Sequence, residues 1–252
     1  MKVDTILCID IGNSRIKWAV CKLSDMSFLE AGVMANNDLM LPALDKVFGV
    51  MKSQPVWIGA VASDEQKRNI TCWFEKNWKQ SVVFIEPDIE RFHHLNGYNS
   101  KSSLGVDRWL AMVAAHFYYK SKLCVIDAGT AITMDVIDAA GEHAGGVIMP
   151  GRRLMTQSLV RGTARIEVNL AVDDSVVLAD NTTKGVHSGV MACLVGGVER
   201  VLSEVKKQHG DLTILVTGGD AELIKSSLNI KVALEKHLVL QGVGIIARDA
   251  YA

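Results

Sequence analysis

Two stretches of this chain, LCIDIGNSRIKWAV (7–20) and CVIDAGTAITMDVI (124–137), are written to one plan. Each has an apolar run suited to a strand buried on both faces, then Asp-x-Gly, then Asn or Thr, then a second strand. Their aspartates, Asp10 and Asp127, lie about half of the 252 residues apart. Solenoid repeats recur every ~20–50 residues, so a period this long points to a duplicated lobe. Strand and helix signals alternate within each half. The expectation is an α/β fold of two similar lobes, 1–118 and 119–252, with a cleft between them and the lobes packed as one unit.

Local patterns fill in the halves. Leu44, Val47, Phe48 and Met51 keep helical spacing, VWIGAV (56–61) is a strand, and Ile70, Trp73, Phe74 and Trp78 share one face of the helix after Ser63. Ser63 and Gln66 have the spacing of a capping box. The tryptophans read as packing residues. GVDRWLAMVAAHFYYK predicts a helix burying Leu110, Val113, Ala114 and Phe117, and Gly141 suggests a hairpin turn. Residues 151–162 read as helical, with Arg152 and Arg153 as its solvated start. Val186, Val190, Leu194, Val198, Val201 and Val205 keep one side of a long helix, and LTILVTGGDAELI is strand, glycine turn and helix start.

Composition removes whole classes of partner. A net charge of -1 argues against a nucleic-acid or anionic-membrane footprint. No run approaches the ~20 apolar residues that span a bilayer. The five cysteines include no CxxC pair. Cys8, Cys124 and Cys193 sit in apolar runs, as small buried hydrophobes do, which favours a reducing compartment and no structural zinc. With MKVDT leading straight into a strand, a cytoplasmic location is expected. His93-His94 lacks partners at metal-ligand spacing.

Four turns carry the chemistry. Gly12 lets backbone approach a phosphate, Asn13 and Ser14 add donors, Lys17 supplies a point charge, and Asp10 would hold magnesium through water. The same residues also make an ordinary Gly-Asn hairpin. In LGVDR (104–108), Asp107 either complements the helix dipole or accepts a proton from a substrate hydroxyl, and Arg108 offers a planar fork for a carboxylate. Asp127, Gly129 and Thr130 repeat the first turn, with a hydroxyl for phosphate. Gly218-Gly219 is either a strand-to-helix turn or a flat rest for adenine. All four acid- or glycine-bearing turns are expected at the C-terminal ends of strands, where open α/β sheets bind ligands.

With DIGNSRIKWA, GVDRW, DAGTAIT, GGVIMPG, NTTKGVHSG and TGGDA in this order, the chain resembles the type III pantothenate kinases, nearly end to end. That resemblance implies two ribonuclease-H-like lobes of the duplicated fold shared by sugar kinases, Hsp70 and actin. It implies ATP-dependent phosphorylation of pantothenate, the first step towards coenzyme A. It places Asp10, Ile11, Gly12, Asn13, Ser14, Arg15, Ile16 and Lys17 with Thr130 at ATP. It places Tyr98, Gly105, Val106, Asp107, Arg108 and Thr182 (or adjacent Thr183) at pantothenate, with Asp107 as base. It further implies Mg2+ near Asp10, K+ or NH4+ at Asp127, and a homodimer whose interface completes the substrate pocket. Two other readings fit the same fold: an ATP-binding accessory regulator, and a kinase for another hydroxy acid.

Overall fold

The computed structural model of the chain describes residues 3–36, 40–87, 95, 97–98, 103–163 and 178–252. These form two compact units: residues 1–120 with 141–143 and 237–252, and residues 121–140 with 144–236. The partition differs from a single cut near 118 because the C-terminal helix joins the first unit.

In the first unit β1 (Thr5–Ile11) pairs antiparallel with β2 (Arg15–Lys22), which pairs with β3 (Phe28–Ala35). On its other side β1 runs parallel to β4 (Val56–Ala60), and β4 to β5 (Val82–Ile85). Burial on β1 is continuous from Ile6 to Ile11, as a strand covered on both faces requires. Leu7, Ile9 and Ile11 face one way, with Ile16, Trp18 and Val20, against α1 (Met40–Phe48) and α2 (Asp64–Trp78). There Phe48 is ringed by Trp18, Trp73, Phe74 and Trp78, with centroids 5.6 to 6.2 Å away. The indole N–H of Trp73 donates to Asp45 and that of Trp78 to the Phe48 carbonyl, so burying these rings strands no donor.

The opposite face carries α3 (Val106–Tyr119) and α7 (Leu238–Ala250), which also pack on each other. A Cβ on Gly242 of α7 would run into backbone of Leu110 on α3, and one on Gly59 of β4 into the Leu110 side chain. Two small positions thus let α3 lie close to both the sheet and α7.

In the second unit β6 (Leu123–Ala128) pairs antiparallel with β7 (Ala131–Ile137) and parallel with β9 (Thr213–Thr217). The sheet order is β10-β9-β6-β7-β8, with β8 at His143–Pro150 and β10 at Ala233–Leu234. Read backwards, it is the order β3-β2-β1-β4-β5 of the first unit with each strand replaced by its counterpart. The repeat seen in the sequence is therefore a repeat of topology. Leu194, Val198 and Leu202 of α5 (Thr182–His209) and Ala221, Ile224 and Leu228 in and after α6 (Ala221–Ser227) complete this core. Val201 and Val205 pack at its edge. Helix α4 covers Arg152–Gly162.

One cysteine departs from expectation. Cys193 is exposed, beside buried Leu194, because a helix covered on one side turns consecutive residues ~100° apart. Cys21 takes its place among the buried thiols with Cys8 and Cys124, and burial pushes the Cys124 thiol up to about 12. No helix among the described residues is long and apolar enough to cross a membrane. His93-His94 lies outside the described residues.

Candidate functional site

The first candidate turn closes the β1–β2 hairpin. Asp10 sits opposite Lys17 across the pair, 94% buried, with its Oδ2 3.7 Å from Lys17 Nζ. Ile11 and Ile16 are wholly buried core residues, so only their main chain is left for a ligand, and the Ile11 carbonyl already accepts from Val61 N–H. Asn13 and Arg15 are exposed, Gly12, Ser14 and Lys17 half-buried. A buried carboxylate below an exposed turn with a lysine beside it is more than a hairpin needs.

Asn36, just past β3, clasps this turn. Its backbone N–H donates to the Ser14 carbonyl (3.1 Å) and its Nδ2 to the Gly12 carbonyl (2.7 Å). Its Oδ1 accepts from Gln66 Nε2 (3.1 Å). The other end of Gln66, Oε1, accepts from Ser63 N–H (3.2 Å), while Ser63 Oγ accepts from Gln66 N–H (3.3 Å). The capping box visible in the sequence is therefore one end of a relay into the turn. The relay requires amides, since Asp or Glu at either position would bring no donor. Nothing local in the sequence marks Asn36, whose partners lie far along the chain.

The second group stands at the start of α3. Gly105 is the N-cap, and a Cβ there would press on Asp107 Oδ1. Asp107 lies in the first turn, half-buried, its Oδ1 accepting from Arg108 N–H (2.8 Å). Helix N-termini favour a charged carboxylate there. Val106 is buried, and Arg108 is buried although charged: its Nη1 donates to the Tyr98 hydroxyl (2.8 Å) and its guanidinium lies over the Tyr98 ring, 5.3 Å from the centroid. Tyr98, Gly105, Asp107 and Arg108 thus form one cluster. His143, unmarked by any sequence pattern, stacks on Tyr98 and joins it.

The second unit holds the remaining turn. Asp127, half-buried, is the penultimate residue of β6, level with Thr217 on β9. Three loops close round it through main-chain bonds: Gly129 N–H to the Ala131 carbonyl, Gly151 N–H to the Thr130 carbonyl, and Asp220 N–H to the Ala128 carbonyl. Gly218, at φ 97°, lies so close that a Cβ would meet Asp127 Oδ1 and the Ala128 carbonyl. Arg152 is not a solvated helix start: its Nη2 is 3.1 Å from Asp220 Oδ1, tying α4 to the 217–220 turn, while Arg153 is exposed as expected. Thr182 opens α5 and is exposed, with Thr183 half-buried.

A family model for type III pantothenate kinase matches residues 6–204. The type III pantothenate kinase of Nitrosococcus oceani is 33% identical, the match covering 97% of this chain and 94% of that protein. The chain belongs to the type III pantothenate kinase family. Solved structures agree on the fold. A protein described as a conserved Baf family transcriptional activator from Campylobacter jejuni superposes with a TM-score of 0.62 at 20% identity, over 98% of both chains. The activator of 2-hydroxyisocaproyl-CoA dehydratase from Clostridium difficile, solved with bound ADPNP, gives 0.52 at 13% identity, over 98% of this chain and 95% of that one. The two α/β units, with the same strand order in each sheet, are the duplicated fold that the sequence led us to expect.

Proposed function

We propose that this enzyme transfers the γ-phosphoryl group of ATP to the primary hydroxyl of pantothenate, committing it to coenzyme A synthesis. Family membership carries the activity. The observation that carries the mechanism is the half-buried carboxylate of Asp107 at a helix start, beside a buried, anchored arginine.

Phosphoryl transfer asks a protein mainly to position the nucleophile and stabilise charge. Arg108, held by Tyr98, receives the substrate carboxylate. Asp107 accepts the hydroxyl proton as the oxygen bonds to the γ-phosphorus and the bond to ADP breaks. The Gly12–Ser14 turn and Lys17 take the phosphates, and the Thr130 hydroxyl is a further contact of ATP.

The cations fit their residues to different degrees. Asp10 offers a hard oxygen donor, and among the described residues no three His, Cys, Asp or Glu side chains gather for a metal. Mg2+ near Asp10 would take its other ligands from phosphate and water, and would neutralise charge on the transferring group. At Asp127, the close approach of Gly218 leaves carboxylate and carbonyl oxygens with no side chain between them, a donor set suited to K+ or NH4+.

The enzyme acts as a homodimer with no nucleic-acid or membrane partner, in the cytoplasm. Val147 and Ile148 on edge strand β8, and Leu154, Leu159 and Val160 on α4, are exposed apolar side chains, and an unpaired strand edge is a place where a second chain can add. Thr182, or the adjacent Thr183, at the start of α5 is a further contact of pantothenate.

ATP-dependent formation of phosphopantothenate in potassium, in sodium alone, and by Asp107→Asn tests this reading. Removing a general base should lower kcat by about 10²- to 10⁴-fold with the ATP KM retained. Absence of product in every salt, with ATP still bound, would leave the regulator reading in its place.

A further inference from the structure

We propose that His143 is a positioning residue for the acid-binding end of the site, holding Tyr98 where its hydroxyl can anchor Arg108. This rests on the reading that Tyr98 and Arg108 receive the substrate carboxylate.

His143 is the first residue of β8 and belongs with residues 141–143 to the first unit. It is 94% buried, although histidine has no intrinsic preference for a core. Its imidazole stacks on the Tyr98 ring with centroids 5.7 Å apart and planes 22° apart. Its Nδ1 accepts from the Gly97 N–H at 3.3 Å, so the neutral ring carries its proton on Nε2. The approach is close enough that a Cβ at Gly97 would run into the His143 carbonyl. The 97–98 segment is therefore fixed twice by one residue, through its main chain and through its ring.

The consequence reaches the substrate site through Tyr98. Arg108 is buried, and its guanidinium takes its direction from the Tyr98 hydroxyl at 2.8 Å and from the ring beneath it. A planar fork recognises a carboxylate only when its plane is set beforehand. His143 sets Tyr98, and Tyr98 sets the fork. An aliphatic side chain at 143 would fill space but would supply neither the stack nor the acceptor.

The test is steady-state kinetics on His143→Ala and His143→Phe in the full-length enzyme. Loss of stack and acceptor in His143→Ala should raise the pantothenate KM by about 5- to 50-fold. The ATP KM should stay within about two-fold, because a residue that only supports the fold would move both. His143→Phe keeps an aromatic stack and loses the acceptor, so a rise of about 2- to 10-fold is expected. An unchanged pantothenate KM in both variants, or equal rises in both Michaelis constants, overturns the proposal. If His143→Ala does not fold, His143→Phe decides by the same criterion. Arg108→Ala separates the two levels. If it leaves the pantothenate KM unchanged, the carboxylate reading itself fails. If it raises that constant while the His143 variants do not, only the positioning role fails.

Discussion

Replacing Asn36 by Ala removes the side-chain half of the clasp on the Gly12–Ser14 turn. Two hydrogen bonds go, Nδ2 to the Gly12 carbonyl at 2.7 Å and Gln66 Nε2 to Oδ1 at 3.1 Å. The backbone bond from Asn36 to Ser14 stays. Partly buried bonds of this kind contribute about 0.5–1 kcal/mol each, the lower part of the usual range, so the turn loses about 1–2 kcal/mol of constraint. If that constraint holds the turn in its phosphate-binding form, the ATP KM rises by about 5- to 30-fold, at 1.4 kcal/mol per tenfold. The pantothenate KM and kcat at saturating ATP should not change, because the clasp touches neither Asp107 nor Arg108. In a chain of this size the same loss lowers Tm by about 2–8 °C. Gln66→Ala should give a smaller rise, and the double variant should match Asn36→Ala, since both substitutions break one relay. ADP release at varied ATP and saturating pantothenate reads the effect. A lowered Tm with an ATP KM within two-fold of the parent enzyme would refute the argument, showing that the clasp stabilises the fold without shaping the turn.

Gly218→Ala places a methyl against Asp127 Oδ1 and the Ala128 carbonyl at φ 97°. A drop in Tm and at least a tenfold loss of activity are expected, at a cost of about 1–3 kcal/mol; parent-like activity would show that this turn can move away from Asp127 freely. Native alkylation at pH 8 followed by mass spectrometry should modify Cys72 and Cys193 and spare the rest. Cys8, Cys21 and Cys124 are buried, and burial drives the Cys8 and Cys124 thiols upward, away from the reactive thiolate. Rapid labelling of a third cysteine would mean that one of the two sheets opens in the native state.

What could be read from the chain alone was whatever is encoded locally. Burial on both faces of β1, the turn after Asp10, and its second copy at Asp127 are contiguous patterns, and a pattern within ten residues survives any tertiary setting. The same holds for the Ser63–Gln66 cap and the apolar face of α2. Two elements carry no such signal. β3 is an edge strand with most of its residues open to solvent, so it shows no buried period. α7 is apolar around its whole circumference, with glycines at 242 and 244 that lower helix propensity. Those glycines make sense only against Leu110 on one side and Met26, Cys21 and Cys8 on another.

The site divides in the same way. Asp10, Asp107 and Asp127 stand in recognisable turns, and sequence placed them in candidate roles. Asn36, His143 and Arg152 act through partners about 20 to 70 residues away, at Gly12, Tyr98 and Asp220. No window of sequence contains both members of such a pair. Chemistry borne by one turn was therefore legible in the order of residues. The orientation of that chemistry depends on contacts that exist only once the chain has folded.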